Sequence, residues 1–79
     1  MKLEKLAISD EGFIFDPETG NSFITNEMGS QIIKYLKEGL TIEEITKKIS
    51  NEYEVDEKEV IKDVLEFIEQ LRIYGLFRG

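Results

Sequence analysis

The sequence contains no cysteine and no histidine. Without cysteine the chain has no disulfide framework and no thiolate metal site. Without histidine it lacks the commonest general base and the commonest neutral metal ligand. Ser22, Ser30 and Ser50 therefore have no imidazole to activate them, and nucleophilic catalysis has almost no support. We expect a chain without catalytic residues, without a metal site and without a cofactor.

Positive charge and long hydrophobic runs are also scarce. Ten Lys and Arg residues stand against 17 Asp and Glu residues, which gives a net charge of −7. An acidic surface repels a phosphate backbone, so nucleic acid is not expected as a partner. Apolar runs of about three residues are far too short to span a membrane. No apolar secretory segment is visible at the N-terminus, so we expect a cytoplasmic location and no membrane partner.

The length and composition fit one small globular domain over residues 1–79. Hydrophobic residues make up 41% of the 79, which is normal for a folded protein and argues against disorder. A chain of this size is near the lower end of what folds alone. No internal repeat, linker or low-complexity segment divides it.

The first third of the chain predicts three short strands. Strand-like segments lie at 2–8, 13–16 and 21–25, and turn-forming residues lie at 9–12 and 17–20. Turns this short join antiparallel neighbours, so the second strand is central and the other two are edges. Phe13 and Phe15 alternate with Ile14 on the central strand, and we expect both aromatic side chains in the core.

The remaining residues predict three helices. Asn26 is a suitable N-cap for the first, Thr41 and Glu44 form a capping box for the second, and Asp56 opens the third. The predicted helices extend from about Glu27 to Glu38, from the capping box to about Tyr53, and from about Asp56 to Tyr74. The predicted fold is therefore α+β and winged-helix-like, with a three-stranded antiparallel β meander followed by three α-helices.

The third predicted helix carries two apolar stripes. The first stripe spans about 60° of the helix surface and the second lies about 100° further round. The stripes are Val60, Val64, Phe67 and Leu71, and then Ile61, Leu65 and Ile68. In one interpretation, one stripe packs on the other helices and one on the sheet. In a sharper interpretation, part of the second stripe lines a groove beside an edge strand, which is a receptor for an extended peptide.

Five short motifs occur in order along the chain. They are DPETG at 16–20, Asn26, GLTIEEI at 39–45, YEV at 53–55 and LRIYGLF at 71–77. This ordered set resembles the PqqD-like family, which is similar to pyrroloquinoline quinone biosynthesis protein D. Members of the family are stand-alone recognition elements for the precursors of ribosomally synthesised, modified peptides. The resemblance covers about residues 3–77.

The resemblance implies a non-catalytic peptide chaperone. Such a protein captures the leader of a precursor peptide and presents it to a modifying enzyme such as a radical SAM enzyme, a cyclase or a protease. The leader would pair antiparallel with the third strand and sit in the cleft between that strand and the third helix. The implied peptide-binding residues are Ser22, Phe23, Ile24 and Thr25 on the strand, and Ile61, Leu65 and Ile68 on the helix.

Lys58 and Lys62 lie one turn apart on the third helix. They are candidates to meet acidic residues of a leader, although pairing with Glu66 and other neighbours is the favoured interpretation.

The third strand departs from the family pattern at two positions. The family usually has Leu where this chain has Thr25, and its aromatic pair on the strand is reduced here to Phe23.

Three alternatives complete the sequence-based picture. A winged-helix DNA-binding protein is the natural runner-up, but the stretch DEKEVIKDV at 56–64 carries four acids against two lysines. A module that self-associates through the open strand edge differs from a peptide receptor only in its partner, and we expect a monomer or a weak dimer.

Asp16 and Glu27 lie at the two ends of a 12-residue frame like that of a calcium loop. Gly20 and Asn21 occupy its fifth and sixth positions, where a ligand and a Gly are needed, so calcium is not expected.

Overall fold

The structure, a computed structural model, describes residues 2–77 and has the predicted α+β architecture. A 3-10 helix (Lys2–Lys5) precedes β1 (Ala7–Ile8), β2 (Phe13–Asp16), β3 (Asn21–Ile24), α1 (Glu27–Lys37), α2 (Ile42–Tyr53) and α3 (Glu57–Ile73). The three strands form one antiparallel sheet in the order β1-β2-β3, which confirms the predicted meander. In this described part of the chain, no helix has the length and apolar character needed to cross a membrane.

The predicted first strand, 2–8, is wrong over most of its length. Its first half is the 3-10 helix, and only Ala7–Ile8 pair with β2. Leu3 lies in this 3-10 helix, and Leu6 follows it directly with its N–H donating to the Leu3 carbonyl at 3.3 Å, so both side chains enter the core from one side. An extended strand would place them on opposite faces of the sheet, because residues an odd number apart alternate.

The turn between β2 and β3 is built around Asp16. The buried Asp16 carboxylate accepts a hydrogen bond from the Glu18 N–H and another from the Thr19 hydroxyl, both at 3.0 Å. The Gly20 N–H donates to the Asp16 carbonyl at 2.8 Å, with Gly20 at a φ of 78°. The DPETG motif therefore fixes a tight turn.

Across residues 2–77, no group of three or more metal-ligating side chains is arranged to hold a metal ion.

All three predicted helix caps are confirmed. The Asn26 side chain accepts from the Gly29 N–H at 2.7 Å, and the Asp56 carboxylate accepts from the Lys58 N–H at 2.9 Å. At α2, the Thr41 N–H donates to the Glu44 carboxylate at 2.9 Å, and the Glu44 N–H donates to the Thr41 hydroxyl at 3.2 Å. The hydrogen bond that the Glu44 carboxylate accepts from the Thr41 backbone N–H, followed by one with the Thr41 side chain, holds the pKa of the Glu44 carboxyl below its usual value.

Two hydrophobic clusters form the core, and α3 contributes to both. The first joins the sheet to α1 and the end of α3 through Leu3, Leu6, Ile14, Ile33, Leu71 and Leu76. The second joins the three helices through Ile32, Ile45, Ile49, Val60, Val64 and Ile68. Phe67 packs against both clusters. The first stripe of α3, together with Ile68, is therefore the buried side of the helix.

The expectation that Phe13 and Phe15 are core residues is wrong. Ile14 and Asp16 are the buried residues of β2, while Phe13 is 58% and Phe15 is 44% exposed. Side chains alternate along a strand, so only one of the two sets, either Ile14 with Asp16 or Phe13 with Phe15, can face the helices. The helices cover one face of the sheet, and the two phenylalanines lie on the outer face.

Candidate functional site

Among residues 2–77, the backbone groups on the outer edge of β3 have no strand partner. The pairs across β2 and β3 are Phe13 with Ile24, Ile14 with Phe23, Phe15 with Ser22, and Asp16 with Asn21. The Thr25 N–H donates to the Gly12 carbonyl at 2.7 Å, which extends the ladder by one pair. Antiparallel pairs alternate between bonded and non-bonded, so the backbone N–H and C=O groups of Ser22 and Ile24 point away from β2.

The opposite edge of the sheet, at β1, is much smaller. The Ser9 N–H donates to the Phe13 carbonyl at 2.9 Å, and by the same alternation only Ile8 turns its backbone groups outward. The chain just before β1 is covered, because the Lys37 ammonium donates to the Leu6 carbonyl at 2.8 Å. A peptide strand would therefore find a longer open ladder at β3 than at β1.

A cavity of about 90 Å³ lies between β3 and the C-terminal half of α3. The strand contributes Phe23, Ile24 and Thr25, the helix contributes Phe67, Gln70, Leu71 and Tyr74, and Ile14 and Leu76 complete the lining. The rings of Phe23 and Tyr74 are in contact, with centroids 5.5 Å apart and planes tilted by 42°. This contact holds the end of α3 against β3.

A second cavity, of about 360 Å³, continues along α3 toward its N-terminus. Its lining consists of Asn26, Met28, Gly29, Ile32, Asp63, Glu66, Phe67 and Gln70. Phe67 and Gln70 line both cavities, so the two form one depression, which we call the β3–α3 groove. The groove is apolar and aromatic near Tyr74 and acidic near Asp63 and Glu66.

Two glycines allow the end of β3 to approach its neighbours closely. A Cβ atom at Gly29 would lie 2.0 Å from the Thr25 hydroxyl oxygen and 2.9 Å from the Phe67 ring. A Cβ atom at Gly12, whose φ is 106°, would lie 2.0 Å from the Thr25 carbonyl oxygen. Larger side chains at either position would push Thr25 away, so both glycines shape the groove. The sequence interpretation did not identify this role.

The strand residues of the predicted site lie at the groove or on its open edge. Phe23, Ile24 and Thr25 line the groove, and Ser22 turns its backbone groups to the open edge while its side chain lies on the outer face of the sheet. These positions agree with a role in strand pairing. Peptide contact at these residues stays a prediction.

The helix residues of the predicted site do not line the groove. Ile68 is 4% exposed and belongs to the core, while Ile61 and Leu65 are 36% and 48% exposed. Lys58 and Lys62 are exposed as well. None of the five is part of the groove lining, which α3 forms instead with Asp63, Glu66, Phe67, Gln70, Leu71 and Tyr74.

The angular positions on α3 explain this difference. Measured from Phe67, Tyr74, Asp63 and Gln70 lie about 20–60° round the helix in one direction. Ile61 and Leu65 lie about 120–160° round in the other direction, beyond the buried stripe. The apolar pattern located the buried stripe correctly, but it did not indicate which flank of that stripe meets β3.

The outer face of the sheet is an exposed apolar patch. Phe13 and Ile24 are cross-strand partners on this face, and Ile24 is 81% exposed. Beside them, Ala7, Phe13, Phe15, Ser22 and their neighbours in β1 and β2 line a shallow cavity of about 300 Å³. Contiguous exposed apolar side chains of this kind mark interaction surfaces.

Comparisons with known proteins give a family and a related structure. A family model described as Coenzyme PQQ synthesis protein D (PqqD) matches residues 11–76. A solved structure described as TbiB1 in Complex with the TbiA(beta) Leader Peptide matches with a TM-score of 0.81 and 33% sequence identity. That match covers 94% of this chain and 87% of the TbiB1 chain. No curated protein matches the sequence significantly.

Proposed function

This chain belongs to the PqqD family, and on that basis we propose that it binds the leader segment of a ribosomally synthesised precursor peptide. The proposal is supported by the match to TbiB1, whose structure was solved with a leader peptide. One observation in this chain carries it: the backbone groups of Ser22 and Ile24 face an open edge beside the β3–α3 groove.

In this proposal the leader pairs antiparallel with β3 as a fourth strand. The N–H and C=O groups of Ser22 and Ile24 would form up to four backbone hydrogen bonds with it. Each such bond contributes about 0.5–1.5 kcal/mol net, so together they supply about 2–6 kcal/mol. Association itself costs about 4–15 kcal/mol, so backbone pairing alone does not give useful affinity.

The remaining affinity comes from apolar leader side chains buried in the groove. Each large side chain buried there contributes about 1.5–3 kcal/mol. Phe23, Phe67 and Tyr74 offer the aromatic contacts for such side chains. The helix wall of the binding site is thus the groove flank of α3, and it replaces the flank of Ile61 and Leu65 that the sequence suggested.

The chain itself is non-catalytic in this proposal and acts by presenting the peptide. A separate enzyme, such as a radical SAM enzyme, a cyclase or a protease, modifies the rest of the precursor while the leader stays bound. We assign contact with that enzyme to the outer face of the sheet, where Phe13, Phe15 and Ile24 are exposed. A leader strand paired with β3 would extend this same face.

The backbone pairing is tested by removing one outward-facing N–H. Ile24→Pro deletes the N–H, and Ile24→Ala is the matched control because it shortens the side chain but keeps the N–H. Affinity for a synthetic peptide with the sequence of the cognate leader is measured by calorimetry. We expect Ile24→Pro to bind about 2- to 13-fold more weakly than Ile24→Ala. Equal affinity of the two variants would argue against pairing at Ile24.

The presentation step has its own test on the outer face. Phe13→Ser with Phe15→Ser removes two exposed aromatic side chains from this face without touching the groove. We expect leader affinity to stay within about twofold of wild type, because surface substitutions usually change little. Modification of the full precursor by the partner enzyme is expected to fall strongly. Unchanged modification would assign the enzyme contact elsewhere.

A further inference from the structure

The N-terminal end of the β3–α3 groove combines an apolar floor with an acidic rim. Met28 and Ile32 contribute apolar side chains to this cavity of about 360 Å³, and Asp63 and Glu66 contribute carboxylates. Among residues 2–77, neither carboxylate forms an ion pair or a side-chain hydrogen bond. Two exposed negative charges therefore border a space that is large enough for a long side chain.

The charges on α3 are divided between its two flanks. Glu59, Asp63 and Glu66 lie within about 100° of Phe67 on the groove flank, while Lys58 and Lys62 lie about 180° and 140° from Phe67. The ion pair expected between Lys62 and Glu66 does not form among residues 2–77. Among the residues that the structure describes, no lysine or arginine lines the groove. The acidic end of the groove therefore keeps its negative potential, in a protein whose net charge is already −7.

The direction of the proposed peptide strand decides which part of a leader meets this end. β3 runs from Asn21 to Ile24 and leads into Asn26, which lines the acidic cavity. An antiparallel partner runs the opposite way, so the residues just N-terminal to its paired segment lie beside Asn26 and Asp63. The residues that follow the paired segment leave near the turn at Gly20.

We propose that this end of the groove selects leaders with a lysine or arginine immediately N-terminal to the segment that pairs with β3. The aliphatic stem of such a residue packs against Met28 and Ile32, and its charged head reaches Asp63 and Glu66 at the rim. This inference rests on the proposed leader-binding function and adds the charge class of the peptide.

A selection experiment with random peptides tests the inference and does not require the natural leader. A displayed peptide library is selected on the immobilised wild-type protein, on Asp63→Lys with Glu66→Lys, and on Glu4→Lys with Glu38→Lys. The last variant changes the net charge equally, at exposed positions outside the groove lining. Wild type and the control variant should enrich Lys or Arg before a strand-forming segment, and the groove variant should lose that preference.

The outcomes of the selection separate this inference from the proposed function. If the wild-type protein enriches strand-forming peptides without a basic residue at that position, the inference is overturned and the proposed leader binding is not. The same preference in all three proteins would also overturn it, because the groove carboxylates would then be irrelevant. A selection that yields no strand-forming peptide, or only peptides that leave the Ile24 amide signal unchanged, would overturn the proposed function as well.

A pair of synthetic peptides measures the size of the effect. One is an enriched peptide with Lys at the critical position, and the other replaces that Lys with Met, which keeps a flexible apolar stem but removes the charge. We expect the Met peptide to bind wild type about fivefold more weakly and to bind the groove variant at least as well as the Lys peptide. The difference on wild type should shrink in high salt. Equal binding of the two peptides to wild type would overturn the inference.

Discussion

The two flanks of α3 border the same buried stripe, but they present different chemistry. The groove flank carries Gln70, Tyr74 and the carboxylates of Asp63 and Glu66, and it faces β3 and the start of α1. The far flank carries exposed Ile61 and Leu65 with two lysines beside them, and it lies outside the groove. The flank that is more apolar in sequence is therefore not the one beside the open strand. The position of a binding site therefore depends on the neighbouring element, here the open edge of β3, as well as on hydrophobicity.

The largest expected effect is a difference in stability between substitutions at Ile68 and at Leu65, two residues of the same apolar stripe. Ile68→Ala leaves a cavity between α3 and the other helices and should cost about 2–5 kcal/mol of the free energy of unfolding. Leu65→Ala should cost less than about 1 kcal/mol, because Leu65 is 48% exposed. Urea unfolding of the two variants gives both values. Similar losses would mean that the flank of Leu65 is packed and that the comparison is wrong.

The next effect should appear in binding, when each flank is obstructed by the same side chain. Gln70→Trp places an indole where the two cavities of the groove meet, and we expect leader affinity to fall at least about tenfold. Leu65→Trp is the matched control on the far flank and should leave leader affinity within about twofold. Calorimetry with the same leader peptide measures both. Weaker binding by the Leu65 variant alone would assign the peptide to the far flank.

A smaller effect is expected from the aromatic contact at the C-terminal end of the groove. Tyr74→Ala removes a ring that lines the groove beside Phe23, and an aromatic contact of this ring with a leader side chain would contribute about 0.5–1.5 kcal/mol, so leader affinity should fall about 2- to 13-fold. Tyr74→Phe keeps the ring and should bind like wild type. A titration followed by fluorescence anisotropy of a labelled leader distinguishes them. If Tyr74→Phe lost as much affinity as Tyr74→Ala, the hydroxyl would be the important group.

The smallest effect should come from the lysines of the far flank. Lys58→Gln with Lys62→Gln removes two exposed charges that lie outside the groove lining. We expect leader affinity to change less than about twofold, since exposed charges that form no contact contribute little. The same titration at low salt provides the most sensitive measurement. A loss of affinity that disappears in high salt would show that these lysines do meet acidic leader residues.

Much of the fold was predictable because its signals are local. The caps at Asn26, Thr41 and Asp56 mark the helix starts, and the DPETG turn fixes the pairing of β2 with β3. The strand half of the candidate site follows from the order of strands in the meander, since the third strand has to be an edge.

The features that sequence did not predict depend on packing between distant segments. The alternation of side chains along β2 does not indicate which face of the sheet the helices cover, so Phe13 and Phe15 were predicted on the wrong face. The 3-10 helix before β1, with Leu6 directly after it, places Leu3 and Leu6 in the same core cluster. The groove flank of α3 depends on how the helix lies across the sheet, which is set by contacts of Leu71 and Tyr74 with segments far away in the sequence.

The central claim is that a leader peptide pairs with the open edge of β3, and amide hydrogen exchange by NMR tests it most directly. The Ile24 amide faces that edge, and the Ile8 amide faces the opposite edge of the same sheet, so the two form an internal comparison. We predict that saturation with leader slows exchange at Ile24 strongly and leaves exchange at Ile8 unchanged. Protection of Ile8 instead, or unchanged exchange at Ile24 while the amides of Ile61 and Leu65 shift, would contradict the account.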